Sequence, residues 1–160
     1  MADIHHFSEY WETSDVDWFC RINGVNIHVA SCCHRVPEDV ARSMSRTYEQ
    51  VAAIDMAEWR GKEKVWYNEE LVRMWLNVED PVKIARYLYT FVVMARKGFY
   101  SFAPLTMDET DGDYYMMAKP VVYEDRAVEG FPNYDVPWLN IAEVAPFTPV
   151  RLVEWIDERR

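Results

Sequence analysis

The stretch FCRINGVNIHV, residues 19 to 29, constrains this chain more than any other. Asn and Gly tolerate the two positive φ angles that a two-residue type I′ turn demands, and the arms around them are β-rich. Folding about Asn23-Gly24 sets Ile22 opposite Val25, Cys20 opposite Ile27 and Trp18 opposite Val29. These six apolar residues share one face. Phe19, Arg21, Asn26 and His28 take the other, as expected of a half-buried antiparallel ribbon. Cys20 therefore belongs to a core, with His28 across the sheet from it.

Helical signals follow the ribbon. Pro37 suits a first helical position, Glu38 and Asp39 favour the positive helix end, and Val40, Met44, Tyr48 and Val51 keep helical spacing. A helix is predicted from about 37 to 57. After the charged RGKEK stretch, Asn68 caps a second helix at about 68–77, whose Leu71, Met74, Trp75 and Val78 make one stripe. The third is the best marked, at about 81–97. Asp80 is its cap, Pro81 opens its first turn, Arg96 and Lys97 form a basic last turn, and Gly98 stops it. Because its polar positions form only a narrow strip, this helix is expected to be the central and most buried one.

The second half changes character. Residues 99 to 123 read as another hairpin, about Asp111-Gly112, with Met107 opposite Met116 and Leu105 opposite Ala118. In that register Pro104 and Pro120 fall at one level of the ladder, where a bulge or an end is expected. The proline- and aromatic-rich stretch from 124 to 148 is expected to be mostly irregular, packed over the core by Phe131, Tyr134 and Trp138. For the C-terminus, Thr148 and Pro149 signal a helix start, whereas Val150, Leu152 and Ile156 also fit a strand.

A chain of 160 residues, half of them apolar, can bury a core as one domain, residues 1–160, without covalent staples. Its first residues lack a basic segment followed by an apolar one, and no run is long enough for a membrane span, so neither secretion nor membrane insertion is expected. The three cysteines, an odd set with two adjacent, suit a reducing compartment, with the cytoplasm as default. The net charge of −10 is uneven: residues 1–20 carry five carboxylates and no Lys or Arg, and residues 98–149 carry nine carboxylates against two. Such a field repels phosphate backbones and anionic lipid, so no nucleic-acid or membrane partner is expected, while a basic protein is compatible. Acidic surface also serves solubility alone.

Candidate sites divide into three groups. His28, Cys32, Cys33 and His34 are zinc-type donors, but adjacent cysteines in an extended chain point apart and no C-x-x-C knuckle occurs, so no metal is expected. Cys33, with His34 or His28, is the best catalytic candidate, because a thiol just before a helix start is acidified by the dipole. A free cysteine is also simply a small core residue. The acids of MDETDGDYY do not make an EF-hand, since Met107 and Ala118 occupy the positions where acids are required. The five glycines are too scattered for a nucleotide motif, H-E-x-x-H and G-x-S-x-G are absent, and no cofactor is expected. What remains is aromatic content: seven Trp, ten Tyr and seven Phe, several beside acids. Packing inward accounts for most of them; a partner-facing patch would lie near Tyr10, Trp11, Tyr134 and Trp138.

The expectation is an α+β fold, an antiparallel sheet of two hairpins, at about 18–30 and 99–123, covered by helices at about 37–57, 68–77 and 81–97. The expected function is a non-catalytic interaction protein, of the inhibitor or immunity type, that presents acidic and aromatic surface to a basic partner. The alternative is a small enzyme or ligand binder using Cys/His and carboxylate groups in a pocket between helices and sheet.

Overall fold

A computed structural model describes residues 16–32, 34–42, 64–105, 112–122 and 131–158. In it the strands β1 (Asp17–Ile22) and β2 (Val25–Ala30) are joined by Asn23 and Gly24, at φ 51° and 80°. Trp18 stands opposite Val29, Cys20 opposite Ile27 and Ile22 opposite Val25, the pairs that a turn at Asn23-Gly24 requires. Cys20 is buried in one face and His28 in the other. The side chain of Asn23 has a second role: its Nδ2 donates to the Val136 and Leu139 carbonyls, both at 2.8 Å, and its Oδ1 accepts from the Val136 N–H at 2.7 Å. The turn that sets the ribbon's register thus also grips the C-terminal part of the chain.

The chain continues through α1 (Glu38–Arg42), β3 (Val65–Tyr67), α2 (Glu69–Leu76), α3 (Pro81–Arg96), β4 (Tyr100–Ala103), β5 (Tyr115–Pro120), β6 (Asn133–Tyr134), a 3₁₀ turn (Ile141–Glu143) and α4 (Leu152–Asp157). Residues 43 to 57 of the first expected helix lie outside the described residues. Asn68 and Asp80 cap α2 and α3 as their chemistry suggests, accepting from the N–H groups of Leu71 and Val82. Gly98, at φ 94°, follows the end of α3. Among the described residues no helix is long and apolar enough to cross a membrane.

The fold is α+β, but the sheet is mixed rather than antiparallel. Six strands lie in the order β3-β5-β4-β2-β1-β6, with β2 parallel to β4 and β1 parallel to β6. The reason is the crossover: the chain leaves β2 and returns to β4 only after α2 and α3, and a connection of that length lets neighbours run in the same direction. β4 and β5 do pair antiparallel, in a different register from the one expected. Ser101, not Leu105, faces Ala118, and Phe102 faces Met116, with an irregularity between Ser101 and Phe102. Proline explains the shift, since β4 stops before Pro104 and β5 ends on Pro120, neither entering the middle of the ladder. The connection through 106–111 lies outside the described residues.

Both sheet faces are covered. On one, Trp18, Cys20, Ile22, Ile27, Val29, Phe102 and Met116 meet α1, α4 and the chain around Val136 and Ile141. On the other, Ala30, Ala103, Met117 and Ala118 receive Leu71 and Val72 of α2 and Ile84, Leu88, Phe91 and Ala95 of α3. A smaller aromatic group, Phe19, Phe99 and Phe131 with Met94, closes one end. The expectation for α3 needs correction. It buries one stripe and leaves Val82 and Tyr89 64 and 68% exposed, because a helix lying on a sheet has only one side to bury. The C-terminal segment does end in a helix, but Val150 first bridges Tyr114 and the helix starts only after Arg151, past Pro149.

Candidate functional site

The cysteine-histidine segment is a turn rather than an extended arm. β2 ends at Ala30, Cys32 takes a left-handed φ of 46°, and the His34 N–H donates back to the Ser31 carbonyl at 2.8 Å. Cys33 lies outside the described residues. His34 is buried with its ring 6.1 Å from that of Tyr114, while His28 sits well inside the sheet, so the turn carries His34 away from His28. Cys32 is half-buried against the α3 side of the core. Near it Tyr87 is pushed up to about 12, chiefly by burial and secondarily by the Cys32 charge. The Cys20 thiol is fully buried, and loss of solvation pushes it far above the usual thiol range, which leaves it unreactive. Among the described residues no three His, Cys, Asp or Glu side chains converge as a metal site would require.

His28 instead joins two groups. Its Nδ1 lies 2.6 Å from Ser101 Oγ and its Nε2 lies 3.0 Å from Asp17 Oδ1. The register explains both contacts. Asp17 and His28 point to the same face of the β1–β2 ribbon, and His28 is level with Ser101 across the parallel β2–β4 pair. An ionised Asp17 only accepts, so Nε2 carries a proton; in the neutral imidazole Nδ1 is then a bare lone pair and the Ser101 hydroxyl donates to it. A carboxylate, an imidazole and a hydroxyl are thus coupled in the sense of a nucleophilic triad.

Burial runs the wrong way for catalysis. Ser101 and His28 are both 0% exposed, whereas the Asp17 side chain is 41% exposed. A nucleophile must meet its substrate, yet here the hydroxyl is innermost. The imidazole is enclosed by Phe19 and Phe91, at ring distances of 5.3 and 6.4 Å. The array is a satisfied polar link that ties β1, β2 and β4 together under α3. Reading the sequence placed His28 but missed Asp17 and Ser101. Asp17 was legible as the same-face residue two positions before Phe19; Ser101 was not, because no local signal announces a parallel neighbour.

The aromatic candidates separate in the structure. Tyr10 and Trp11 lie outside the described residues. Tyr134 is half-buried in β6, pairs with Ile22, and donates its hydroxyl to Asp39 Oδ2 at 3.2 Å, so it fastens the C-terminal segment to α1. Trp138 faces outward at 60% exposure, although it was expected to pack over the core. Its ring meets that of half-buried Trp155 edge to face at 6.4 Å. Phe147 is exposed in the same C-terminal segment. Asp135, Glu143 and Glu158 flank these aromatics in sequence and are exposed, and none of the three makes an ion pair with the described residues. Trp155 and Phe147 drew no attention in the sequence because Trp155 belongs to a helical stripe and Phe147 stands alone between prolines. In comparisons with known proteins, no family model, no curated protein and no solved structure matches this chain.

Proposed function

We propose that this chain is a non-catalytic interaction protein whose C-terminal face, built on Trp138 and Trp155, receives a cationic segment of a partner protein. The observation that carries the reading is the exposed Trp138 ring braced against Trp155. An indole held edge-on by a second indole offers a rigid, partly desolvated π-face, and such a face attracts Arg or Lys. Asp135, Glu143 and Glu158 add exposed carboxylates to the same segment. The inward position of Ser101 favours binding over catalysis, and the net charge of −10 favours a basic protein over nucleic acid. An inhibitor or immunity-type protein is the class in which such a face works without a reaction. The free, buried thiol of Cys20 suits a reducing cytoplasm.

The test uses a short arginine- and lysine-rich peptide as probe, followed by the indole N–H resonance of Trp138. Saturable movement of that resonance, weakened by salt, is the expected result. Trp138→Ala then lowers affinity about tenfold, equal to about 1.4 kcal/mol, while the Tm stays close to that of the parent because the ring is mostly solvent-facing. An indole signal that does not move, or peptide binding that survives Trp138→Ala, overturns the proposal.

A further inference from the structure

The outer side of α3 carries a different charge from the rest of the molecule. Its 16 residues include no carboxylate, and Lys83, Arg86 and Arg96 are exposed without an ion pair to any described residue. At 100° per residue Val82, Arg86, Tyr89 and Arg96 fall on one outward arc, opposite the buried stripe. Lys83 and Arg96 stand about 20 Å apart along the axis at 1.5 Å per residue. Tyr89 and Val82 are the most exposed apolar residues of this helix, so the strip combines cations with unburied carbon.

We infer that this strip docks the acidic, aromatic C-terminal face of a second copy of the chain. The inference rests on the reading of the Trp138 face and supplies its partner. Geometry favours it, because α3 covers one face of the sheet and the C-terminal segment covers the other, so the two surfaces cannot meet within one molecule. Between two molecules they meet head to tail. Arg86 or Arg96 then lies over the Trp138 ring, and Asp135 and Glu143 face the remaining cations. Net repulsion between copies is screened beyond about 8 Å at physiological salt, which leaves local complementarity to decide. A nucleic acid fits less well. Its phosphates continue past a strip of about 20 Å and meet the field of a chain whose net charge is −10. Because the joined faces are unlike, each copy retains one free face, and the contact builds rings or open chains rather than a closed twofold dimer.

Sedimentation velocity on the full chain, from micromolar to millimolar concentration and at low and high salt, tests this. The parent chain associates and salt disperses it. Arg86→Glu/Arg96→Glu and Asp135→Lys/Glu143→Lys are each monomeric alone, since each keeps one working face. Mixed together they associate, because the acidic face of the first meets the basic strip of the second and the two charge-reversed faces are complementary as well. All four substituted side chains are exposed, so both variants should fold, and their Tm verifies it. A parent chain that stays monomeric throughout overturns the inference, as does a mixture that fails to pair. So does a duplex oligonucleotide that binds the parent but not the Arg86→Glu/Arg96→Glu variant while the chain stays monomeric. The reading of the Trp138 face fails separately, since a cationic peptide that still moves the Trp138 indole preserves it when self-association is absent.

Discussion

The two faces of the sheet are covered by different means. Under α2 and α3 the sheet offers mainly small or polar residues, Ala30, Ala103, Ala118, His28 and Ser101, and the helices bring the large ones, Leu71, Leu88 and Phe91. On the other face the sheet brings the bulk, Trp18, Ile27, Phe102 and Met116, and much of the cover is irregular chain. A helix satisfies its own backbone polar groups; irregular chain does not, so side chains must do it. Asn23 captures the Val136 and Leu139 carbonyls, and Asn68 Nδ2 captures those of Met116 and Pro146 at 2.9 and 2.7 Å. Two buried or turn asparagines therefore perform for the C-terminal segment what the i→i−4 ladder performs for α3.

Truncating large side chains on each face should expose that difference most strongly. Phe102→Ala is expected to cost about 3–5 kcal/mol by urea denaturation, and Leu88→Ala about 2–4 kcal/mol. The Phe102 site should be the costlier, because a helix can slide to fill part of a cavity while a segment tied at Asn23 and Asn68 cannot. Equal losses would mean that the irregular cover adjusts as freely as the helix. Next in size is Asn68→Ala, at about 2–3 kcal/mol, since it strands two carbonyls and removes the cap on the Leu71 N–H. Hydrogen exchange should place the first loosening at the chain around Pro146 and the start of α2. A cost below about 0.5 kcal/mol would show that solvent replaces both bonds.

What could be read from the sequence follows how local each interaction is. The β1–β2 turn and the caps at Asn68 and Asp80 depend on residues within a few positions of each other, and their chemistry is visible in the string. The β2–β4 pairing links Ile27 to Tyr100 with no shared turn, so neither the mixed sheet nor the Ser101–His28 contact could be read. The same limit misplaced the β4–β5 register, because a local Asp-Gly signal carries no information on how far proline pushes the ladder along. α3 failed for another reason: Val82 and Tyr89 count as apolar in a pattern, but a single-sided helix leaves them in water. Trp138 was singled out by the acids around it, while its orientation depended on Trp155, seventeen residues away in a separate helix.

The helix-covered face holds a polar link, and its strength can be isolated. Ser101→Ala is expected to cost about 1 kcal/mol, the value of one neutral hydrogen bond in a buried site. Asp17→Asn should cost less, because the carboxyl is partly solvated. Asp17 and Ser101 each bond His28, so a tautomer-mediated link predicts that the double variant departs from additivity by about 0.5 kcal/mol or more. The imidazole ¹⁵N shifts provide a direct check, with the proton expected on Nε2. Strict additivity together with a proton on Nδ1 would reduce the array to two independent contacts.

The smallest expected effect lies on the opposite face and has the least usual sign. Trp18 is fully buried, yet its indole N–H has no hydrogen-bond partner among the described residues. An unsatisfied buried donor costs about 1–3 kcal/mol, and Trp18→Phe removes that donor together with part of the ring. The lost ring volume opens a small cavity whose cost, set by its size, opposes the gain. The two terms nearly cancel, so Trp18→Phe should shift stability by less than about 1 kcal/mol, where Trp18→Ala costs about 3–5 kcal/mol. The urea midpoints of the two variants decide it. A loss above about 2 kcal/mol for Trp18→Phe would mean that the indole N–H is bonded after all, which is what the apolar face, unlike the helix-covered one with its paired His28 and Ser101, is inferred to lack.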